Sequence, residues 1–257
     1  MLKGQPMSEE AAPHITCLME CSVDGRLDES RWSKMYDPKG EGSPDVYYET
    51  LSRLQPEAVM LGRVTVRENF CAAQFRSTSF TRPQVLVPFR GIRDRECMAV
   101  IFDSRCRIAY ECNSVWDYPV LAVLSEKFAS AEYLRYLREK EVSYTFAGDD
   151  GRDLTKALDS MYHDFGLRNL VLAGGGSLNG SFLHAGLIDE LYVVIYPGLD
   201  GLAGMKCIFE YPGERNDLPA AGQSLELLDV QKCRAGVVLL SYRLHKLKPA
   251  GLKLGKL

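Results

Sequence analysis

Residues 169–201, NLVLAGGGSLNGSFLHAGLIDELYVVIYPGLDG, carry a strand, a glycine turn, a helix and a second strand in unbroken order. Asn169 to Ala173 is a short apolar run of the kind that forms a strand buried on both faces. Gly174, Gly175 and Gly176 follow, and residues without a Cβ let the chain turn sharply and let an anion approach its amide groups. Ser177 reads as the N-cap of a helix running to about His184, with Leu178, Phe182 and Leu183 on its apolar side. Gly186 ends that helix, and Ile188 to Pro197 reads as the next strand. A helical crossover of this kind implies parallel strands in a sheet covered by helices. The turn also aims N–H groups and a helix N-terminus at one point, which suits a phosphate. A plain tight corner would use the same glycines, and the usual dinucleotide and P-loop spacings are missing.

Elsewhere in the chain the same pattern recurs at weaker strength. Ala58 to Leu61 reads as a strand running into Gly62-Arg63-Val64-Thr65, with a short helix from Val66 to Phe70. Arg63 is either a solvated surface charge or, paired with the Thr65 hydroxyl, a phosphate ligand. Cys97 to Phe102 is a strand that ends in Asp103-Ser104-Arg105, where a hydroxyl and a guanidinium again emerge together. At the first strand, His14 to Cys21, the exit is Ser22-Val23-Asp24-Gly25-Arg26. Asp24 there is either an ordinary turn carboxylate or a group facing a ligand at a strand end. Trp32 and Tyr36 sit in a loop as packing residues or as a lid over a planar ligand.

The remaining elements are expected as follows. A helix starts at Ser43-Pro44, a strand or edge piece covers Gln84 to Val87, and a strand covers Tyr118 to Leu124. A helix then carries Phe128, Tyr133, Leu134 and Leu137, a strand spans Val142 to Ala147, and a helix spans Asp153 to Phe165. After the long loop from Gly198 to Gly222, Ser224 to Cys233 and Val237 to His245 read as an antiparallel hairpin. The fold class is therefore α/β, three-layered, with a mostly parallel central sheet, helices on both faces and an antiparallel C-terminal hairpin. Residues 14–245 are expected to form one domain between a loose arm, 1–13, and a basic tail, 246–257.

Composition narrows the function. A net charge of −3 with dispersed basic residues argues against nucleic acid. No signal-peptide core or membrane span is visible, so neither a leader nor a membrane partner is expected. Cys17 and Cys21, four residues apart in a strand, would hold their Cα atoms about 13 Å apart, too far for a disulfide. Free thiols in the cytoplasm and no metal site are the expectation.

Taken together, SVDGR, LGRVT, FDSR and the stretch from Leu172 to Gly201 resemble the dihydrofolate reductase-like superfamily, and more narrowly the pyrimidine reductase domain of riboflavin biosynthesis. The resemblance implies an NADPH-dependent oxidoreductase that passes hydride to a ring-opened ribosylamino imine, a small heterocyclic substrate, and a homodimer. It implies that Gly62, Arg63 and Thr65 hold cofactor phosphate and that Ser104 and Arg105 select the 2′-phosphate. Gly174, Gly175, Gly176, Ser177 and Leu178 would underlie the pyrophosphate. Ser22 and Trp32 would line the substrate pocket, with Asp24 as the catalytic group that orients the substrate or protonates its nitrogen. Asp189 and Glu190 match a D-E-L sequence and are read as structural. The chain departs from the family at Ala173, where a glutamate is usual, and at Arg67-Glu68-Asn69-Phe70, which replaces an Asp-Asp-Pro-x-Leu-Thr segment. A pterin or other small carbonyl compound as substrate, and a non-catalytic nucleotide-binding protein, are the alternatives.

Overall fold

The computed structural model describes residues 12–70, 73–77 and 80–246. Most of the expected arm and tail thus lies outside the described residues. In chain order the elements are β1 (His14–Ser22), α1 (Val46–Leu54), β2 (Ala58–Gly62), α2 (Arg63–Phe70), β3 (Ala73–Gln74), β4 (Met98–Asp103), β5 (Ile108–Ala109) and β6 (Ser114–Val115). They continue with β7 (Tyr118–Leu124), α3 (Ala131–Glu139), β8 (Ser143–Phe146), α4 (Leu154–His163), β9 (Asn169–Leu172), α5 (Gly176–His184), β10 (Glu190–Tyr196), β11 (Gln223–Lys232) and β12 (Val238–Lys246). The described residues divide into two compact units, one holding residues 12–14 and 54–175, the other residues 15–53 and 176–246.

The first unit is built on parallel pairing. β2 lies between β9 and β4, β4 pairs with β7, and β7 pairs with β8, all parallel. Its strands are continuous apolar runs because both faces are covered: Ala58 to Leu61 and Met98 to Ile101 are buried without exception. The helices are capped by short polar side chains. Ser130 Oγ accepts from Tyr133 N at 3.0 Å, and Asp153 Oδ1 accepts from Lys156 N at 2.9 Å. β6 adds antiparallel to β7, and β3 pairs with β5 in a separate ribbon.

In the second unit β10 pairs parallel with β1 and antiparallel with β12, which closes the expected hairpin with β11. Asp189, read from sequence as structural, accepts from Ile15 N through Oδ2 at 2.9 Å and from Lys246 Nζ through Oδ1 at 3.2 Å.

Several boundaries differ from the sequence reading, each for a local reason. α1 starts at Val46 rather than Ser43, because Asp45 supplies the cap, accepting from Tyr48 N at 3.2 Å. α2 begins at Arg63, directly after β2, so Arg63 and Thr65 belong to its first turn. Gln84 to Val87 forms no strand; Pro83 and Pro88 flank it, and only Phe89 makes an isolated bridge, to Tyr144. Phe128 precedes α3 and instead lies under Arg105, whose Cζ is 4.6 Å from its ring centroid. α5 begins at Gly176, so Ser177 is inside the helix and does not cap it.

Candidate active site

In the first unit the ends of β2 and β9 are clasped together. Gly62 N donates to Gly174 O at 2.9 Å, and Gly175 N donates to Thr65 Oγ1 at 3.1 Å. The threonine in the first turn of α2 therefore holds the glycine turn in place. A Cβ at Gly175 would stand 3.2 Å from that hydroxyl, so the Thr65 side chain would have to give by a few tenths of an ångström to admit it. The Gly174-Gly175 peptide is cis.

Asp103, at the end of β4, organises the neighbouring corner. Its Oδ2 accepts from Arg107 N at 2.6 Å, Ile108 N at 2.9 Å and Tyr133 OH at 3.3 Å. Its Oδ1 lies 3.8 Å from Arg63 Nε. Burial pushes the Asp103 carboxyl up from its ordinary range, against the opposing pull of the Ile108 and Arg107 amides and of Arg63. The structure thus brings Gly62, Arg63, Thr65, Gly174 and Gly175 together, and ties Arg63 to the last residue of β4, just ahead of Ser104 and Arg105 in the following turn. Sequence reading passed over Asp103 as the first letter of a turn. A carboxylate closing an apolar strand was the available signal.

In the second unit Gly176 has a packing role. A Cβ there would lie 2.3 Å from Cys207 O, and its own carbonyl accepts from Glu210 N at 2.9 Å. Ser177 and Leu178 follow in the first turn of α5. Ser22 Oγ donates to Asp24 Oδ1 at 2.6 Å, and the Asp24 carboxylate also accepts from Gly201 N at 2.8 Å and Asp200 N at 3.2 Å. Those donors, Ser22 first, hold Asp24 down at about 2. At neutral pH Asp24 is an anion, a geometry that serves orientation rather than proton donation. Trp32 packs its ring 5.2 Å from that of Tyr196, with Nε1 buried and unpartnered.

Glu20 is the acid that sequence reading missed, although a carboxylate inside HITCLMECS was its signal. It shares a strand face with Ser22, two residues on. Burial, then Glu29, then Asp45 push its carboxyl up to about 7. Since the unfolded value is near 4.5, the native state keeps this proton where the unfolded chain has lost it. The associated stability is complete below the unfolded value and disappears as pH rises through about 7. Glu20→Gln is expected to flatten the fall in melting temperature between acidic and alkaline buffer, by about 2 °C after allowance for solvent screening. Parallel melting curves for both proteins would remove Glu20 from this role.

Residues 13–239 match the model of the RibD C-terminal domain. The chain belongs to the RibD C-terminal domain family. A 2,5-diamino-6-ribosylamino-4(3H)-pyrimidinone 5′-phosphate reductase of Aquifex aeolicus is 23% identical over 192 residues, 74% of this chain and 79% of the relative. The enzyme of the same description from Archaeoglobus fulgidus is 24% identical over 186 residues, 72% and 80% of the two chains. Among solved structures, a pyrimidine reductase-like protein of Corynebacterium diphtheriae superposes with a TM-score of 0.63 at 17% identity, covering 94% of this chain and 95% of its own. The riboflavin biosynthesis reductase Rib7 of Saccharomyces cerevisiae gives 0.55 at 15% identity and 93% coverage of both.

The resemblance drawn from the motifs therefore stands: this RibD C-terminal domain is a riboflavin-biosynthesis reductase domain, an oxidoreductase by family, with the mostly parallel α/β fold and antiparallel hairpin expected of it. Membership of a reductase family brings a nicotinamide cofactor with it. The residues present fit such a group. The clasped glycine turn leaves little room for a Cβ at Gly175, 3.2 Å from Thr65 Oγ1, and the first turn of α2 and the exit of β4 stand at the C-terminal ends of parallel strands. Among the described residues no helix is long and apolar enough to cross a membrane, and no cluster could hold a metal ion.

Proposed function

We propose that the protein reduces the ribosylamino group of a phosphorylated pyrimidinone to its ribityl form, using NADPH. The observation that carries this reading is the clasp of Gly62, Gly174, Gly175 and Thr65 at adjacent parallel strand ends, in a chain that aligns with named pyrimidinone phosphate reductases over most of its length. Bound nicotinamide supplies hydride. The chain's own task is positioning, which can account for a large part of the barrier when reacting atoms are held about 3–3.5 Å apart. Gly62, Arg63 and Thr65, with Gly174 to Leu178, hold the cofactor phosphates, and Ser104 and Arg105 stand at its ribose side. Ser22, Asp24 and Trp32 line the substrate, Asp24 as an orienting anion and Glu20, near neutrality, as the group able to give up a proton.

Two further features belong to this reading. Leu225, Leu227, Leu228 and Val230 of β11 are 38–54% exposed, an apolar strand of the kind a second copy covers in a homodimer. The cysteines of the described residues are free, which supports the cytoplasm.

Loss of NADPH absorbance on adding the diaminoribosylaminopyrimidinone phosphate, with a dimer by light scattering in the same preparation, is the expected result. Turnover of dihydrofolate or a simple carbonyl instead would move the substrate to those classes. Cofactor binding with no turnover of any of them would leave a nucleotide-binding protein.

A further inference from the structure

In the second unit the loop from Asp28 to Ser33 is zipped to the exit of β10, and one ion pair stands at the centre of the join. Arg31 closes a single 3₁₀ turn, Glu29–Arg31, which Asp28 caps by accepting from Ser30 N at 3.2 Å. Arg31 Nε donates to Asp200 Oδ2 at 2.8 Å and Nη2 donates to Asp200 Oδ1 at 3.0 Å, a fork that a lysine could not make. The next two residues follow Arg31 onto the same strand exit. The Trp32 ring lies 5.2 Å from that of Tyr196, Ser33 N donates to Leu199 O at 2.9 Å, and Leu199 N donates to Ser33 Oγ at 3.0 Å.

Asp200 turns its backbone the other way. Its N–H and that of Gly201 donate to the Asp24 carboxylate, at 3.2 and 2.8 Å. One residue therefore grips Arg31 by its side chain and Asp24 by its main chain. The Asp200 side chain is fully covered, whereas 27% of the Asp24 side chain still faces solvent, the part a substrate can meet.

Exposed ion pairs usually add little to stability, so the interest of this one lies in what it adjoins. Contact with Arg31 holds the Asp200 carboxyl below its ordinary range, against the opposing pull of burial and of the Asp24 charge. Without the guanidinium, two carboxylates would face each other across the turn, and the amides that orient Asp24 would lose their anchor. Arg26 is already committed: its Nη1 donates to Met205 O at 2.7 Å, and its Nε stands 3.9 Å from Asp24.

We propose that Arg31 and Asp200 are positioning residues for the reduction, their ion pair fixing the Asp24 carboxylate and the Trp32 ring as one wall of the substrate site. The proposal rests on the reading above in which Asp24 and Trp32 line the substrate.

A double-mutant cycle in the full chain tests it, with NADPH and the diaminoribosylaminopyrimidinone phosphate as substrates. R31A and D200N are each expected to lower kcat/KM about 10–100-fold, the scale of a misplaced orienting group. Calorimetry should find their NADPH affinity within about twofold of wild type, and R31A should cost less than about twofold more in a D24A background, since the residue it acts through is gone. The chain has two tryptophans, so Trp32 emission is read in a W116F background, where R31A should shift it to the red. Additive losses in the cycle, a D24A protein as active as wild type, or an unmoved Trp32 emission would each overturn the proposal. So would an NADPH affinity that falls in step with kcat/KM, because general loosening would then explain the loss. Any of these with an active wild type leaves the reductase reading intact, whereas a wild type that does not turn over the pyrimidinone brings down both.

Discussion

An Asp103→Ala protein is expected to lose about 3–5 kcal/mol of stability, the range for breaking a buried charged network by removing one partner. The carboxylate is fully buried, and its loss deprives the amides of Arg107 and Ile108 of the acceptor that both use. Tyr133 OH keeps a second acceptor, Ile108 O at 2.9 Å, so the damage concentrates in the turn rather than in α3. Arg63 loses its facing charge at the same moment. Asp103→Asn separates the two effects. Its amide oxygen still accepts from both N–H groups, so the loss should be nearer 1–2 kcal/mol, while Arg63 faces a neutral group. The pH dependence has a definite sign. Burial raises this carboxyl in the folded state, so the native protein holds the proton to higher pH than the unfolded chain, and the associated stability falls as pH rises through the native value. Asn cannot titrate and should lose that slope. Urea unfolding at acidic and neutral pH reads both quantities, and an Ala variant within 1 kcal/mol of wild type would mean that this carboxylate does not hold the turn.

How much of this could be read from the chain depends on whether the signal was local. β2, β4 and β7 are unbroken apolar runs, and a strand buried on both faces needs nothing more. The hairpin of β11 and β12 announced itself by succession, with no helix between its strands. The clasp was only half legible. Gly62, Thr65 and the glycine turn stood out as separate corners, but the hydrogen bond from Gly175 N to Thr65 Oγ1 joins residues 110 positions apart. That Thr65 uses its hydroxyl to hold a glycine amide could not come from either motif alone. Gly176 carries a constraint that its neighbours did not announce: the backbone of Cys207 lies where a Cβ would be. The relation of Arg63 to Arg67 was hidden for a related reason: α2 begins earlier than its apolar residues suggested, and only that start puts the two on one helical face.

The same reasoning about what occupies an absent side chain gives the second large effect, at Gly180. Inside α5, helix propensity favours alanine over glycine by about 1 kcal/mol, so Gly180→Ala would stabilise the protein if the helix stood alone. It does not stand alone. A Cβ at Gly180 would lie 2.4 Å from Glu210 C, 2.5 Å from Glu210 O and 2.6 Å from Tyr211 N. These are backbone atoms with no rotamer to move, so either α5 or the loop must shift, and overpacking of this kind costs roughly 1–3 kcal/mol or more. The loop is also tied to α5 by Asn179 Nδ2, which donates to Ile208 O at 2.8 Å from a fully buried side chain, and by Glu210 N, which donates to Gly176 O at 2.9 Å. Displacing it loosens the first turn of α5, where the proposed function puts the cofactor against Gly176 to Leu178. Gly180→Ala should therefore lower the urea midpoint by the equivalent of about 2 kcal/mol net of helix propensity, and weaken NADPH in the same protein. Gly186→Ala is the control, because a Cβ there meets nothing within 4 Å and only the backbone conformation, φ +65°, opposes it. If Gly180→Ala were the more stable of the two, helix propensity would outweigh crowding at this position, and the packing of α5 against the Cys207 to Tyr211 segment could not be what requires a glycine.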